Sequence, residues 1–316
     1  MKTVAITSFK GGTAKTSIVL HIGAALSQFH KKKILLIDFD AQANLTAGLG
    51  FDPDEHESLA AVLQGKKTLQ EVILKTDIKG LDLLPADTWL ERVEVSGTLA
   101  GDRYSHERLK NILKDLVTIH EPAESLRKSH ADKVGVDSHH RKAINQKDGL
   151  PQQLQDFAYD YVFIDTPPSL CWLTESALIA AQHTLIAATP EFYSVKGLER
   201  LSQFIESISE RHPLNVLGVA LSFWNTRGKN NPAFMDLIEK TFPQKVLSTK
   251  IRRDISVSEA AIFGKPVFDS APTCRAAEDF LSLTKEVLDC LHPLEKSVSR
   301  PKKGNTPSKK RELIGV

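Results

Sequence analysis

The sequence predicts an α/β fold: one domain built on a central, mostly parallel β-sheet flanked by helices on both faces. Two observations carry this. Short β-branched runs alternate with helical patterns along the 316 residues, the order expected of βαβ units. The runs themselves are almost continuously apolar, as strands covered on both faces must be. With 41% hydrophobic and 25% charged residues, the chain has the composition of a globular protein able to bury a sizeable core.

In order, the strands are "KTVAITS" (2–8), "KILLIDF" (33–39), "LDLLPA" (81–86), "DYVFIDT" (160–166), "HTLIAATP" (183–190), "LNVLGVALSF" (214–223) and "KVLST" (245–249). Apolar spacing of helical period between them predicts helices over 16–29, 104–119, 172–181, 195–210, 231–241, 255–262 and 275–291. No internal repeat is present. Two stretches break the alternation. Residues 121–149 are polar and aperiodic, and read as a flexible insert whose histidines share no ligand-like spacing with Cys or carboxylates. The segment 293–316 sets Lys296, Arg300, Lys302, Lys303, Lys309, Lys310 and Arg311 against Glu295 and Glu312, and reads as a disordered basic tail. The domain is therefore expected over 1–292.

Charge and cysteine content exclude several classes. A formal net charge of +2 is too small to announce a nucleic-acid or membrane partner, so any basic surface must be local. Cys171, Cys274 and Cys290 lack paired spacing, and no apolar run is long enough for a signal peptide or a membrane span. The expectation is a reduced cytoplasm, with inert thiols.

Chemistry starts at "SFKGGTAKTS" (8–17), where a buried strand enters Gly11 and Gly12 and then a helix. Backbone N–H groups and a helix N-terminus converge there, which makes an anion site. The pattern G-x-x-x-x-G-K-[ST] is nevertheless broken, because Phe9 and Ala14 stand at its two glycine positions. Lys15 would supply a charge to β and γ phosphates and Thr16 a hydroxyl to Mg²⁺. A plain strand-to-helix turn is the alternative. Asp38 and Asp40 close the second strand in "LLIDFDAQANLT", and Asp165 closes another in "YVFIDTPPSL". Carboxylates at the carboxyl ends of parallel strands lie on the edge where such sheets bind ligands. Singly, each could instead be a helix cap or turn former.

Taken together, "KGGTAKTS", "LLIDFDAQANLTAGLG" and "FIDTPPSL" resemble the deviant Walker A loop, the following acidic strand and the Walker B segment of the ParA/Soj partition ATPases. The likeness extends through "ATPEFYSVKGLERL" (188–201), "LGVALSFWNTRGKNN" (217–231) and "KIRRDISVSEAAIFGKPV" (250–267), and is strongest to the chlamydial type of ParA. The resemblance implies a single P-loop domain that binds ATP and Mg²⁺ in the loop Lys10, Gly11, Gly12, Thr13, Ala14, Lys15, Thr16 and Ser17. It also implies a slow ATPase forming an ATP-dependent homodimer, with non-specific DNA and a ParB-type activator as partners, cytoplasmic and nucleoid-associated, and not on a membrane. The family's motif is K-G-G-x-G-K-[TS], which leaves Phe9 unconstrained and makes Lys10 the signature lysine, acting on the partner's phosphates. Position by position, Lys10, Lys15 and Asp40 are the expected catalytic residues, with Asp40 acting on the attacking water. Thr16, and Asp165 through water, would hold the metal, and Asp38 would support the site.

Three departures accompany the likeness. Ala14 stands where the family has glycine, at a cost of about 1 kcal/mol if the backbone there is left-handed. Ala41 and Ala43 replace the proline and glycine of D-P-Q-G-N. In the family's DNA-binding stretch, Lys250, Arg252 and Arg253 are the candidate phosphate contacts, with Ser256 in place of a second arginine; a solvated charged surface is the alternative. MinD-like relatives are disfavoured because the tail has no apolar face. The nitrogenase iron-protein branch lacks its cluster cysteines. A DNA-bound scaffold switched by nucleotide, with little hydrolysis, stays open.

Overall fold

The structure, a computed structural model, describes residues 1–95, 105–118, 157–190, 195–229 and 231–293. The expected insert and nearly all of the expected tail lie outside them. Eight strands form one sheet: β1 (Lys2–Thr7), β2 (Ile34–Asp38), β3 (Leu74–Lys75), β4 (Leu81–Leu84), β5 (Tyr161–Asp165), β6 (His183–Ala188), β7 (Asn215–Trp224) and β8 (Val246–Arg252), in the order β3-β4-β2-β5-β1-β6-β7-β8. Every pairing is parallel except β3 with β4.

Alternate residues of the central strands feed two separate cores. Ala5, Leu35, Ile37, Val162 and Ile164 join one, while Val4, Ile6, Ile34, Leu36 and Phe163 join the other, and all are fully buried. A period of two with apolar side chains on both sides is why these strands read as unbroken runs. The longer helices cover the two faces: α1 (Lys15–His30) and α12 (Arg275–Leu291) on one, and α6 (Arg108–Thr118), α7 (Trp172–Ala180), α8 (Val195–Ser209) and α9 (Asn231–Thr241) on the other. On α1, a Cβ at Gly23 would stand 2.7 Å from Leu36 Cδ2, so this helix lies directly on β2.

Every expected strand is present, and the expected helices are found within a few residues. The helix read at 104–119 begins instead as a 3₁₀ turn, Ser105–Glu107. Six elements were not read from the sequence: β3 and the short helices α2 (Asn44–Gly48), α3 (Leu59–Leu63), α4 (Leu69–Val72), α5 (Trp89–Val95) and α11 (Val267–Ser270). Each is seven residues or fewer, about two turns or less, which leaves little length for a periodic signal. The remaining helix, α10 (Ser256–Ile262), packs against α2 and α11. No described helix is long and apolar enough to cross a membrane.

Candidate functional site

β1 ends at Thr7 and α1 starts at Lys15, so Ser8–Ala14 crosses the carboxyl edge of the sheet. Internal hydrogen bonds close the loop. Lys15 Nζ donates to Ser8 Oγ at 3.0 Å, Ser8 Oγ donates to the Lys10 carbonyl at 2.8 Å, and Ser222 Oγ reaches from β7 to the Thr13 carbonyl at 2.8 Å. Gly12 has φ +73° and Ala14 has φ 60°, ψ 26°. The second glycine position therefore does take left-handed backbone, and an alanine occupies it. That conformation brings the Cβ close to the following carbonyl oxygen, and glycine alone escapes the contact.

Phe9, at the other glycine position, packs on α8. A Cβ built on Gly197 would fall 1.8 Å from Phe9 Cδ2, so the aromatic ring occupies the space above a helix surface that only glycine leaves clear.

Strand register gathers the carboxylates. Asp38 and Asp165 are paired across β2 and β5, both fully buried. Thr16 Oγ1 donates to Asp165 Oδ2 at 2.7 Å, whereas Asp165 Oδ1 is buried with no hydrogen-bond partner. Burial first, and the neighbouring Asp38 second, push the Asp165 carboxyl above its ordinary range; burial does the same to Asp38. Lys15 is also buried, and desolvation lowers its pKa against the attraction of Asp165 and Asp40. An orphaned acceptor beside a hydroxyl and an ammonium marks an electrostatically incomplete site.

Asp38 organises the adjoining loop. Its Oδ2 accepts from the Thr46 amide (2.9 Å) and hydroxyl (2.8 Å), and its Oδ1 from the Asp40 amide (3.2 Å). Asp40 is partly exposed, and its Oδ1 accepts from the Gln42 amide at 3.1 Å. Ala43 has φ 51°, so this second substituted glycine position is also left-handed.

The basic residues of β8 divide. Arg252 is clamped to α12 by Asp279, with Nη2 to Oδ1 at 2.7 Å and Nε to Oδ2 at 2.9 Å, and meets Glu278 at 3.5 Å. Lys250 is half-buried, donates to the Leu247 carbonyl and lies 5.9 Å from the Trp224 ring centroid; burial lowers its pKa. Arg253 sits over Phe223, itself at φ 51°. Arg252 and Arg253 line a cavity of about 480 Å³ at the carboxyl ends of β6–β8, with Thr189, Asn225, Lys229 and Arg275. Lys250 is outside it.

Sequence reasoning missed Ser8, Thr46, Ser222, Asp279 and the pairing of Phe9 with Gly197. Only the first had a local signal, as a hydroxyl inside the loop motif; the others act across strands or helices.

A family model, the CobQ/CobB/MinD/ParA nucleotide binding domain, matches residues 4–267. The chain belongs to that family. A ParA family protein of Chlamydia muridarum is 63% identical over 93% of this chain and 100% of its own length. The chromosome partitioning protein ParA of Caulobacter vibrioides is 30% identical over 91% and 94% respectively. Among solved structures, cobyrinic acid a,c-diamide synthase of Mycobacterium smegmatis with bound ATP analog and magnesium superposes with a TM-score of 0.67 at 24% identity, covering 92% of this chain and 95% of that one, a likeness of fold. For a ParA-family chain the loop Ser8–Ser17 lies in the nucleotide-binding domain, and its departures at Phe9 and Ala14 fall inside it.

Proposed function

We propose that this ParA-family chain is a DNA-partition ATPase that binds Mg–ATP at residues 10–17, dimerises around it and hydrolyses it slowly until a ParB-type partner and DNA accelerate turnover. The observation carrying this is the orphaned Asp165 Oδ1 next to Thr16 Oγ1 and the buried Lys15. Among the described residues no group of three or more His, Cys, Asp or Glu could hold a metal by itself. Mg²⁺ suits such a site, because it binds through one or two protein groups and completes its shell with phosphate oxygens and water. Thr16 would hold it directly and Asp165 through water, and its chemistry there is to neutralise charge on the β and γ phosphates.

Lys15 then exchanges Ser8 for phosphate. Asp40, half-exposed at the end of β2, orients the attacking water, and exposed Lys10 reaches the phosphates of a second copy. The assignment of Lys250, Arg252 and Arg253 to non-specific DNA rests on the family resemblance. Arg252 is already held by Asp279 and Lys250 is half-buried, so Arg253 carries most of the phosphate contact. The protein acts in the cytoplasm at the nucleoid.

ATP turnover with and without duplex DNA and the partner tests the proposal. Lys15→Ala must abolish nucleotide binding by calorimetry while the domain stays folded. Asp40→Ala must accumulate an ATP-bound dimer, and Lys10→Gln must bind ATP as a monomer without dimerising in light scattering. A second reading, a DNA-bound switch that hardly hydrolyses, draws on the left-handed alanines at 14 and 43. Phosphate release that DNA and the partner leave unchanged decides for it.

A further inference from the structure

The amino-terminal edge of the sheet carries a cavity of about 890 Å³, at the opposite end of α1 from the nucleotide loop. Three turns wall it: Lys31, Lys32 and Lys33 between α1 and β2, Lys79 before β4, and Lys265 after α10. Five lysines face two carboxylates in the lining, Asp77 and Asp269, and Asp269 already accepts from Gln28 Nε2 at 2.9 Å. Lys31, Lys32, Lys79 and Lys265 form no ion pair among the described residues. The walls are tied together: Ser27 Oγ donates to the Lys79 carbonyl at 2.6 Å, and the Ile34 amide to the Gly80 carbonyl at 2.8 Å. The whole chain carries only +2, so this cavity holds more net positive charge than the entire protein.

Lysines at the end of α1 also complement its dipole, but Lys79 and Lys265 are on other elements and have no such role. A concave surface lined by one sign of charge focuses potential and attracts a counter-charged partner. The chemistry of the lining says which. Its apolar members, Leu49, Ile78 and Pro266, are buried, so nothing in it could insert into a bilayer. It contains neither arginine nor an aromatic residue, the anchors of protein interfaces, where lysine is depleted. Unpaired lysine ammoniums on separate turns suit an extended row of phosphates.

We propose that this lysine-walled cavity is a second, sequence-independent contact for the phosphate backbone of duplex DNA. It is separate from β8 and from the nucleotide edge. The inference shares with the partition reading the premise that the chain binds DNA, but needs no nucleotide chemistry.

The test is the full-length quadruple variant Lys31→Gln/Lys32→Gln/Lys79→Gln/Lys265→Gln, titrated with a fluorescent duplex over a salt series. Removing one lysine–phosphate pairing should flatten the slope of log K against log salt by about 0.9, so a fall of roughly 2 to 4 in its magnitude is expected. Affinity should drop at least about tenfold near 0.1 M salt, alike for unrelated sequences. ATP affinity by calorimetry should be unchanged. If the quadruple variant does not fold, Lys79→Gln/Lys265→Gln reads the same slope. An unchanged slope overturns the inference alone, whereas a parent that binds no duplex overturns the partition reading with it. Loss of ATP affinity in the variant overturns it too, because the nucleotide site would then explain the DNA effect. So does binding of the parent to phosphatidylglycerol vesicles or polyglutamate that the variant loses while keeping the duplex.

Discussion

Phe9 and Gly197 occupy each other's space: the ring stands where any Cβ on residue 197 would be, 1.8 Å from that position at Cδ2. The loop Ser8–Ala14 thereby rests on α8, the helix that follows β6, and Phe9 is a packing residue rather than a damaged glycine. Gly197→Ala should push the ring off the helix, cost about 1–3 kcal/mol as overpacking does, and weaken ATP binding through the displaced loop. Phe9→Ala added to it should recover much of both. Chemical unfolding and calorimetry on the two single variants and the double check this; additive losses in the double would show that the residues are uncoupled.

Left-handed alanines at 14 and 43 make a different prediction, since both sit in loops that carry the proposed catalytic groups. Replacing either with glycine removes the clash between Cβ and the following carbonyl oxygen, and offsets part of that gain by freeing the unfolded chain. Ala14→Gly and Ala43→Gly should each stabilise the protein by about 0.5–1 kcal/mol, seen as a higher urea midpoint with an unchanged slope. ATP affinity should hold or rise in the first. A destabilised Ala14→Gly variant would mean that the loop carries no strain at this residue.

How far the sequence led can be judged from these same residues. The strands were legible because buried parallel strands are apolar at every position, as Val4, Ala5 and Ile6 are. Asp38 and Asp165 could be placed at strand ends, but their facing registration needed β5 to lie between β1 and β2, which no local pattern encodes. The same limit hid Asp279, which ties up the Arg252 guanidinium: its partner is 27 residues away on another element. Short helices such as Asn44–Gly48 are fixed by tertiary contacts, here Thr46 on Asp38, rather than by period.

Asp165 should trade stability against metal binding. Its ionised form is buried with one oxygen unsatisfied and Asp38 alongside, which is why its carboxyl is pushed up. Asp165→Asn keeps an acceptor for Thr16 and removes the charge. Without nucleotide the variant should therefore be more stable at neutral pH, by an amount on the order of 1 kcal/mol, yet lose the magnesium dependence of ATP binding. Thermal melts with and without Mg–ATP read both effects, and a variant that still gains its full melting shift from magnesium would place the metal elsewhere.

His21 carries the pH prediction. It stacks on Phe280 at 4.2 Å, donates from Nδ1 to the Ser17 carbonyl at 2.7 Å and accepts at Nε2 from the Val267 amide at 3.1 Å. A carbonyl can only accept and an amide only donate, so this geometry holds the neutral Nδ1–H tautomer and ties α1 to α11. Burial pushes the pKa down to about 4. Because the folded value lies below the unfolded one, near 6.5, the unfolded chain binds the extra proton between them. The His21 contribution is thus fully present above about pH 6.5 and is lost as the pH falls through about 4. His21→Gln removes the titration and leaves the carboxylates in place. Between pH 7 and pH 5 the parent should lose about 2 kcal/mol more than this variant in urea unfolding, and parallel pH profiles for the two would show that residue 21 is not held neutral.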